Sequence, residues 1–254
     1  MANLRKMSHA TATAASAATA RLVLGFDADD TLWHNETLFT AAHDKFCSLL
    51  AAHHDSAAVE RALYATELRN LPLYGYGAKG FTLSAIETAI ELTAGRVSAH
   101  ELRDLLALGR DILAHPVELL DAVPAVLAEL AAAGHRMILI TKGDLQHQER
   151  KIHESGLAPR FLATEVVSEK DDATYRRVLA RHNIAPENFL MVGNSLKSDI
   201  APLLRLGAYA AHVPYHVTWQ HEKLDVLPHA PGRFFTLASI RELPPLVATL
   251  TGKL

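Results

Sequence analysis

Three carboxylates fall within four positions of "FDADDTLW" (26–33): Asp27, Asp29 and Asp30. They follow the apolar run "RLVLGF" (21–26), which reads as a buried strand. In an extended segment Asp27 and Asp29, two residues apart, share one face. Carboxylates that converge in this way need a cation or a shared proton, because both cannot cheaply stay ionised. A Mg²⁺ ion would settle that repulsion and also hold a phosphate oxygen. Asp27 could then attack phosphorus as a nucleophile, while Asp29 exchanges protons with the leaving group and with water. Thr31 and Asp30 would shape the turn. The bland reading of the same residues is a solvated strand-end loop.

Three more polar clusters follow apolar runs. "ILITKGD" (138–144) ends a strand in Thr141, Lys142, Gly143 and Asp144. A hydroxyl and free backbone N–H groups at a strand-to-helix turn make an anion cradle, and the competing reading is an ordinary helix cap. "VVSEKDD" (166–172) places Lys170 where it could neutralise phosphate charge, unless it is simply a surface lysine. "FLMVGNSLKSDI" (189–200) ends its strand in Gly193, Asn194 and Ser195, with Asp199 five residues after Asn194. Asn194 and Asp199 could ligate a metal or orient its waters, or Asn194 or Ser195 could cap a helix.

These clusters need a scaffold. From about 36 to 116 the apolar spacing is helical throughout, with cap signals at Asp55-Ser56 and in "SAHE" (98–101). After His115-Pro116 helices and strands alternate. That grammar predicts an α/β fold, a parallel sheet covered by helices on both faces, with an all-helical insert after the first strand. Open sheets of this kind keep their sites at the carboxyl ends of the strands. The expected division is a flexible tail over 1–20, a core of 21–35 and 117–254, and a helical cap of 36–116. Within the insert, "NLPLYGYGAKGF" (70–81) breaks the helical pattern with three glycines. Tyr74, Tyr76 and Lys79 there either contact substrate from a closing loop or belong to a plain helix–helix connection. Trp219 is expected to pack near the mouth of the site.

Four polar strand ends in this order resemble the haloacid dehalogenase (HAD) superfamily of hydrolases. "FDADDTLW" is similar to its first motif, Thr141 to the second, Lys170 to the third and "VGNSLKSDI" to the fourth. The resemblance implies a Rossmannoid core with a C1-type cap, a Mg²⁺ cofactor and a phosphoaspartyl intermediate on Asp27. It also implies that Asp29 is the acid/base, that Thr141 and Lys170 hold phosphate, and that the Asp29 carbonyl ligates the metal with Asp27, Asn194 and Asp199. Two positions depart from the pattern. The fourth motif usually begins Gly-Asp and here reads Gly193-Asn194, which removes a charge beside the ion. The third often continues Lys-Pro and here reads Lys170-Asp171, which makes Lys142 a fallback. Dehalogenases of the superfamily work without metal and can carry Asn in the fourth motif, but they lack the acid that Asp29 supplies. The expected activity is therefore Mg²⁺-dependent phosphomonoester hydrolysis of a small soluble metabolite. A metal-independent 2-haloacid dehalogenase and a non-catalytic phosphate-ligand-binding protein are the rivals.

Composition is compatible with this. The 254 residues are 49% hydrophobic, enough for a substantial core, and the formal charge is only −3, so no global field recruits a nucleic-acid polymer. No apolar run approaches the roughly 20 residues that span a bilayer. A lone Cys47 rules out an internal disulfide and suits a reducing, cytoplasmic setting. The acid-free N-terminus could be read as a transit peptide, and a flexible tail is the expected reading.

Overall fold

A computed structural model describes residues 22–224, 226 and 228–252. The tail expected over 1–20 lies outside the described residues.

Six parallel strands form one sheet: β1 (Val23–Phe26), β2 (Arg136–Lys142), β3 (Ala163–Val167), β4 (Phe189–Gly193), β5 (Tyr209–His212) and β6 (Phe234–Thr236). Their spatial order is β3-β2-β1-β4-β5-β6. β1 is thus central, with Phe26 in register with Leu139 on one side and Val192 on the other. The order reverses between β1 and β4, and the crevice beyond their carboxyl ends is where a doubly wound sheet binds its ligand. This is the expected Rossmannoid α/β architecture.

Period-two alternation fills both faces of the sheet. Leu24, Phe26, Met137, Leu139, Leu190 and Val192 join one buried cluster, while Val23, Ile138, Ile140, Phe189 and Met191 join another. Near-continuous apolar strands follow from having both faces covered. The covering helices are placed after the four of the insert: α1 (Glu36–Leu49), α2 (Ser56–Tyr74), α3 (Ala78–Leu92) and α4 (Ala99–Ala114), then α5 (Val123–Ala132), α6 (Leu145–Glu154), α7 (Asp172–Arg181), α8 (Ala201–Arg205) and α9 (Leu243–Thr251). No helix among the described residues is long and apolar enough to cross a membrane.

Helices α1 to α4 bury a core of their own, with Phe46, Leu50, Val59, Leu63, Phe81 and Leu105 at its centre. Asp55 caps α2 through Ala58 N at 2.9 Å, and Ser98 with Glu101 forms the capping box on α4. Two adjacent crossings tie this unit to the sheet: His34 N donates to Glu118 O at 3.0 Å and Leu120 N to Leu32 O at 2.9 Å. The break expected over 70–81 is smaller than its sequence suggests. α2 continues through Pro72 to Tyr74, and α3 already contains Lys79 and Gly80, so only 75–77 leaves the helix. Pro72 sits in the last turn and leaves the Leu68 carbonyl without its N–H donor from four residues on. Gly75 (φ 69°) and Gly77 (φ 103°) take the left-handed conformations that this tight reversal requires.

Candidate active site

The first strand delivers Asp27 into the crevice, where its N–H donates to Val192 O at 2.9 Å. Thr31 Oγ1 donates to Asp27 Oδ2 at 2.9 Å, and the Lys170 ammonium donates to Asp27 Oδ1. Lys170 Nζ also donates to Asp199 Oδ1 at 2.7 Å, and its side chain is 2% exposed. Burial opposes its charge, yet Asp199 and Asp27 more than offset that and hold its pKa well above the usual lysine value. Two carboxylates on one ammonium leave a negative charge in excess. Burial and the charge of Asp199 together push the Asp27 carboxyl up to about 7, despite Lys170. Lys170, and not Lys142, is thus the lysine bonded to Asp27. Asp171, in place of the expected proline, caps α7 through Thr174 N at 2.7 Å and so fixes the backbone beside Lys170.

Asp199 reaches Lys170 through a local distortion. Leu196–Ile200 forms a single π-helical turn ahead of α8, with Ile200 N bonded to Ser195 O at 3.3 Å. The carboxylate folds back under Gly193 and accepts from Ser195 N at 2.9 Å. A Cβ on Gly193 would lie 2.3 Å from Asp199 Oδ2, so only glycine fits there. Asn194 faces Thr31, whose hydroxyl lies 3.3 Å from the amide Oδ1 and 3.1 Å from the backbone N. Ser195, not Asn194, supplies the cap, accepting from Ser198 N at 3.0 Å.

Asp29 lines the same pocket under heavy restraint. Trp33 Nε1 and Lys151 Nζ both donate to its Oδ1 at 2.6 Å, and Gln148 Nε2 donates to Oδ2 at 2.9 Å. Burial alone would raise its pKa, but Lys151 and these hydrogen bonds pull it below the ordinary aspartate value. Asp29 is thus an anion at rest. Asp30 turns away, at φ 62°, and its carboxylate accepts from the N–H groups of Asn35 and Glu36 at 2.9 and 3.0 Å at the start of α1.

Thr141, 1% exposed, has a buried Oγ1 without a hydrogen-bond partner among the described residues, and it lines the pocket. The caps nearby are made by other residues: Asp144 caps α6 through His147 N at 3.0 Å. Gly143 lines the pocket at φ 149°, but its N–H donates to Val167 O at 3.3 Å and is not free for an anion. Lys142 is likewise committed. Its Nζ bonds Glu222 at 2.7 Å and Ser198 Oγ at 3.0 Å and lies 3.9 Å from the Tyr76 ring centroid.

The insert closes the pocket from above. Tyr74 lines it at the end of α2 and is half-exposed. Tyr76 also lines it, with its hydroxyl donating to Glu169 at 2.7 Å and its ring edge-to-face with Trp219 at 6.2 Å. Lys79 does not join the pocket wall; it pairs with Asp144 at 3.0 Å, where its helical position aims it at the cap of α6. Sequence reasoning missed Trp33, Gln148 and Lys151 on Asp29, and Glu222 on Lys142.

The cavity is about 180 Å³ and is open to solvent on one side. Its lining holds eight carboxylates (Asp27, Asp29, Asp30, Asp144, Asp199, Glu36, Glu67, Glu222) against three lysines (Lys142, Lys151, Lys170). His147 adds no charge near neutrality, because burial and then Lys151 lower its pKa to about 4. No cluster of three or more His, Cys, Asp or Glu side chains converges as a metal centre among the described residues. A hard cation needs less: Mg²⁺ is commonly held by one or two carboxylates together with waters and substrate phosphate. Asp27, Asp199 and Asn194 line the pocket together and carry the hard oxygen donors such an ion takes.

Comparison with known proteins places this geometry. A family described as haloacid dehalogenase-like hydrolase matches residues 23–207. A crystal structure of a haloacid dehalogenase-like family hydrolase from Xanthomonas campestris is 41% identical, covers 92% of this chain and 93% of its own, and superposes with a TM-score of 0.81. The chain belongs to the HAD-like hydrolases. Two more distant structures share the fold. One is a predicted phosphoglycolate phosphatase from Haemophilus somnus, with 16% identity, TM-score 0.57, and coverage of 90% of this chain and 99% of that one. The other is the L-2-haloacid dehalogenase from Xanthobacter autotrophicus, with 15% identity, TM-score 0.60, and coverage of 90% and 98%. Comparison with curated proteins returned no match.

Proposed function

We propose that this hydrolase is a Mg²⁺-dependent phosphomonoester phosphatase with Asp27 as nucleophile, acting on a small soluble metabolite. The observation that carries the reading is the convergence on one pocket of the Asp27 carboxylate, the Lys170 ammonium and the unpartnered Thr141 hydroxyl, with the second carboxylate of Asp29 beside them. Asp27, Asp199, Asn194 and the Asp29 carbonyl would hold the ion, which when bound neutralises charge and polarises a phosphoryl oxygen.

Thr31 and Lys170 orient the Asp27 carboxylate, and Thr141 donates to a phosphoryl oxygen. Asp27 attacks phosphorus as the bond to the leaving oxygen breaks, giving a phosphoaspartyl enzyme. The leaving oxygen takes a proton through Asp29, which reaches the first step only after collecting one. A phosphate monoester, with a second pKa of about 6, can bring that proton as its monoanion. Asp29 as an anion then removes a proton from the water that hydrolyses the intermediate. The helical unit of 36–116 serves as the cap over a core of 21–35 and 117–254, in a protein of the cytoplasm.

Asn194 favours one rival, metal-independent dehalogenation through attack of Asp27 on carbon. The two are separated by assaying purified protein on 4-nitrophenyl phosphate and on 2-chloropropionate, with Mg²⁺ and with chelator. Phosphate release that needs Mg²⁺ and falls at least about 10³-fold in Asp27→Asn is expected. Chloride release without phosphate release, or no turnover of any phosphate ester with Mg²⁺ present, overturns the proposal.

A further inference from the structure

The cap half of the pocket carries a second recognition element. Glu67 lies on α2 in the wall of the cavity, its side chain 11% exposed. Among the described residues its Oε2 is buried without a hydrogen-bond partner, and its Oε1 has only His43 Nε2, 3.6 Å away and beyond ordinary hydrogen-bond range. A carboxylate oxygen shut away from water without a donor is costly to keep. Gln148, more than nine-tenths buried, lines the same cavity with a further amide oxygen unpartnered among the described residues, so this space is built for a ligand that brings hydrogen-bond donors.

Charge narrows that ligand. Each lysine of the lining is already bonded to a carboxylate: Lys142 to Glu222, Lys151 to Asp29, and Lys170 to Asp27 and Asp199. Glu36, one helix away from Glu67, is pushed up to about 8 by burial and by the charges of Asp30 and Glu67. Aromatic faces complete the wall, with Phe81 stacked on His43 at 5.3 Å and Tyr76 against Trp219. With those ring faces taken by His43 and Lys142, the Glu67 carboxylate is the group that attracts a cation and repels an acid.

Resting on the phosphatase reading, we infer that the leaving group carries an ammonium that Glu67 receives, so that the substrates are short aminoalkyl phosphates. A cavity of about 180 Å³ suits a small leaving group. A leaving group ending in a carboxylate, as in phosphoglycolate, would face the Glu67 carboxylate and be disfavoured.

The test compares aminoethyl, hydroxyethyl and carboxymethyl phosphates under Mg²⁺, with 4-nitrophenyl phosphate as a generic ester. In wild type, kcat/KM for the aminoethyl ester should exceed that for the hydroxyethyl ester by at least about 10-fold, with the carboxymethyl ester last. Glu67→Gln should reduce that amine preference to within about threefold; because the readout is a ratio, a general loss of active protein cannot imitate it. A wild-type ratio near one, or a ratio unchanged in Glu67→Gln, overturns the inference, and turnover of 4-nitrophenyl phosphate alongside it leaves the phosphatase reading standing. If no ester is hydrolysed, that reading fails, and calorimetry with the same esters decides the inference. Tighter aminoethyl phosphate binding that is lost in Glu67→Gln supports it, and equal binding of the three overturns it.

Discussion

Asp29 and Glu36 show how burial acts in opposite directions within one pocket. Asp29 has three donors and ionises easily; Glu36 has carboxylate neighbours and resists ionising. A carboxyl whose folded pKa is raised binds more protons in the folded than in the unfolded chain between its two pKa values. For Glu36 that window runs from 4.5 to about 8, and the folded state loses stability as pH rises through it. Glu36→Gln removes the ionisation. The variant should match wild type in thermal midpoint near pH 5 and exceed it near pH 8.5, as read by differential scanning calorimetry. An equal offset at both pH values would refute the assignment. The acids of the first motif were legible in the sequence because their spacing is local. Lys151 and Glu222 were not, since their partners lie 122 and 80 residues away along the chain.

At the level of elements, the π-helical turn after β4 converts a one-dimensional spacing into a site. Asp199 reaches Lys170 because that turn folds back under a residue with no side chain. Gly193→Ala would drive a methyl group into the Asp199 carboxylate and cost on the order of 1–3 kcal/mol. A midpoint lowered by several degrees, with phosphatase activity reduced at least about 100-fold, is the expected result; near-normal activity would show that Asp199 is dispensable. The runs of β1, β2 and β4 were readable, because buried parallel strands are short and apolar. The turn over 70–81 was overestimated, because glycine and proline signal a break without saying how many residues it takes. Here Gly80 belongs to α3, where it lets the Gly75 carbonyl approach to within 2.6 Å of where a Cβ would lie.

Across the whole molecule, helical unit and sheet meet at a few polar contacts: Lys79 with Asp144, Tyr76 with Glu169, and the Tyr76 ring with Lys142. Lys79 is half-exposed, so its ion pair is worth at most about 1 kcal/mol to global stability. Lys79→Ala should therefore leave the thermal midpoint within about 2 °C of wild type. Faster hydrogen exchange over 75–80, with a raised KM, would mark it as a latch, and unchanged exchange would show that it is not. The alternation of helix and strand revealed the layered plan and the location of the site. It said nothing of how the two units face one another, because those contacts are made by isolated polar side chains that carry no period.

The strand bearing the nucleophile lies at the centre of the sheet, yet its two neighbours begin at residues 136 and 189. As the polypeptide emerges from the ribosome, this segment must wait through the synthesis of more than a hundred residues before either flank can be zipped. Closing so distant a pairing is slow, and an apolar ribbon with bare edges is an invitation to other chains. Premature termination before β4 should yield insoluble material, whatever becomes of the helices in between.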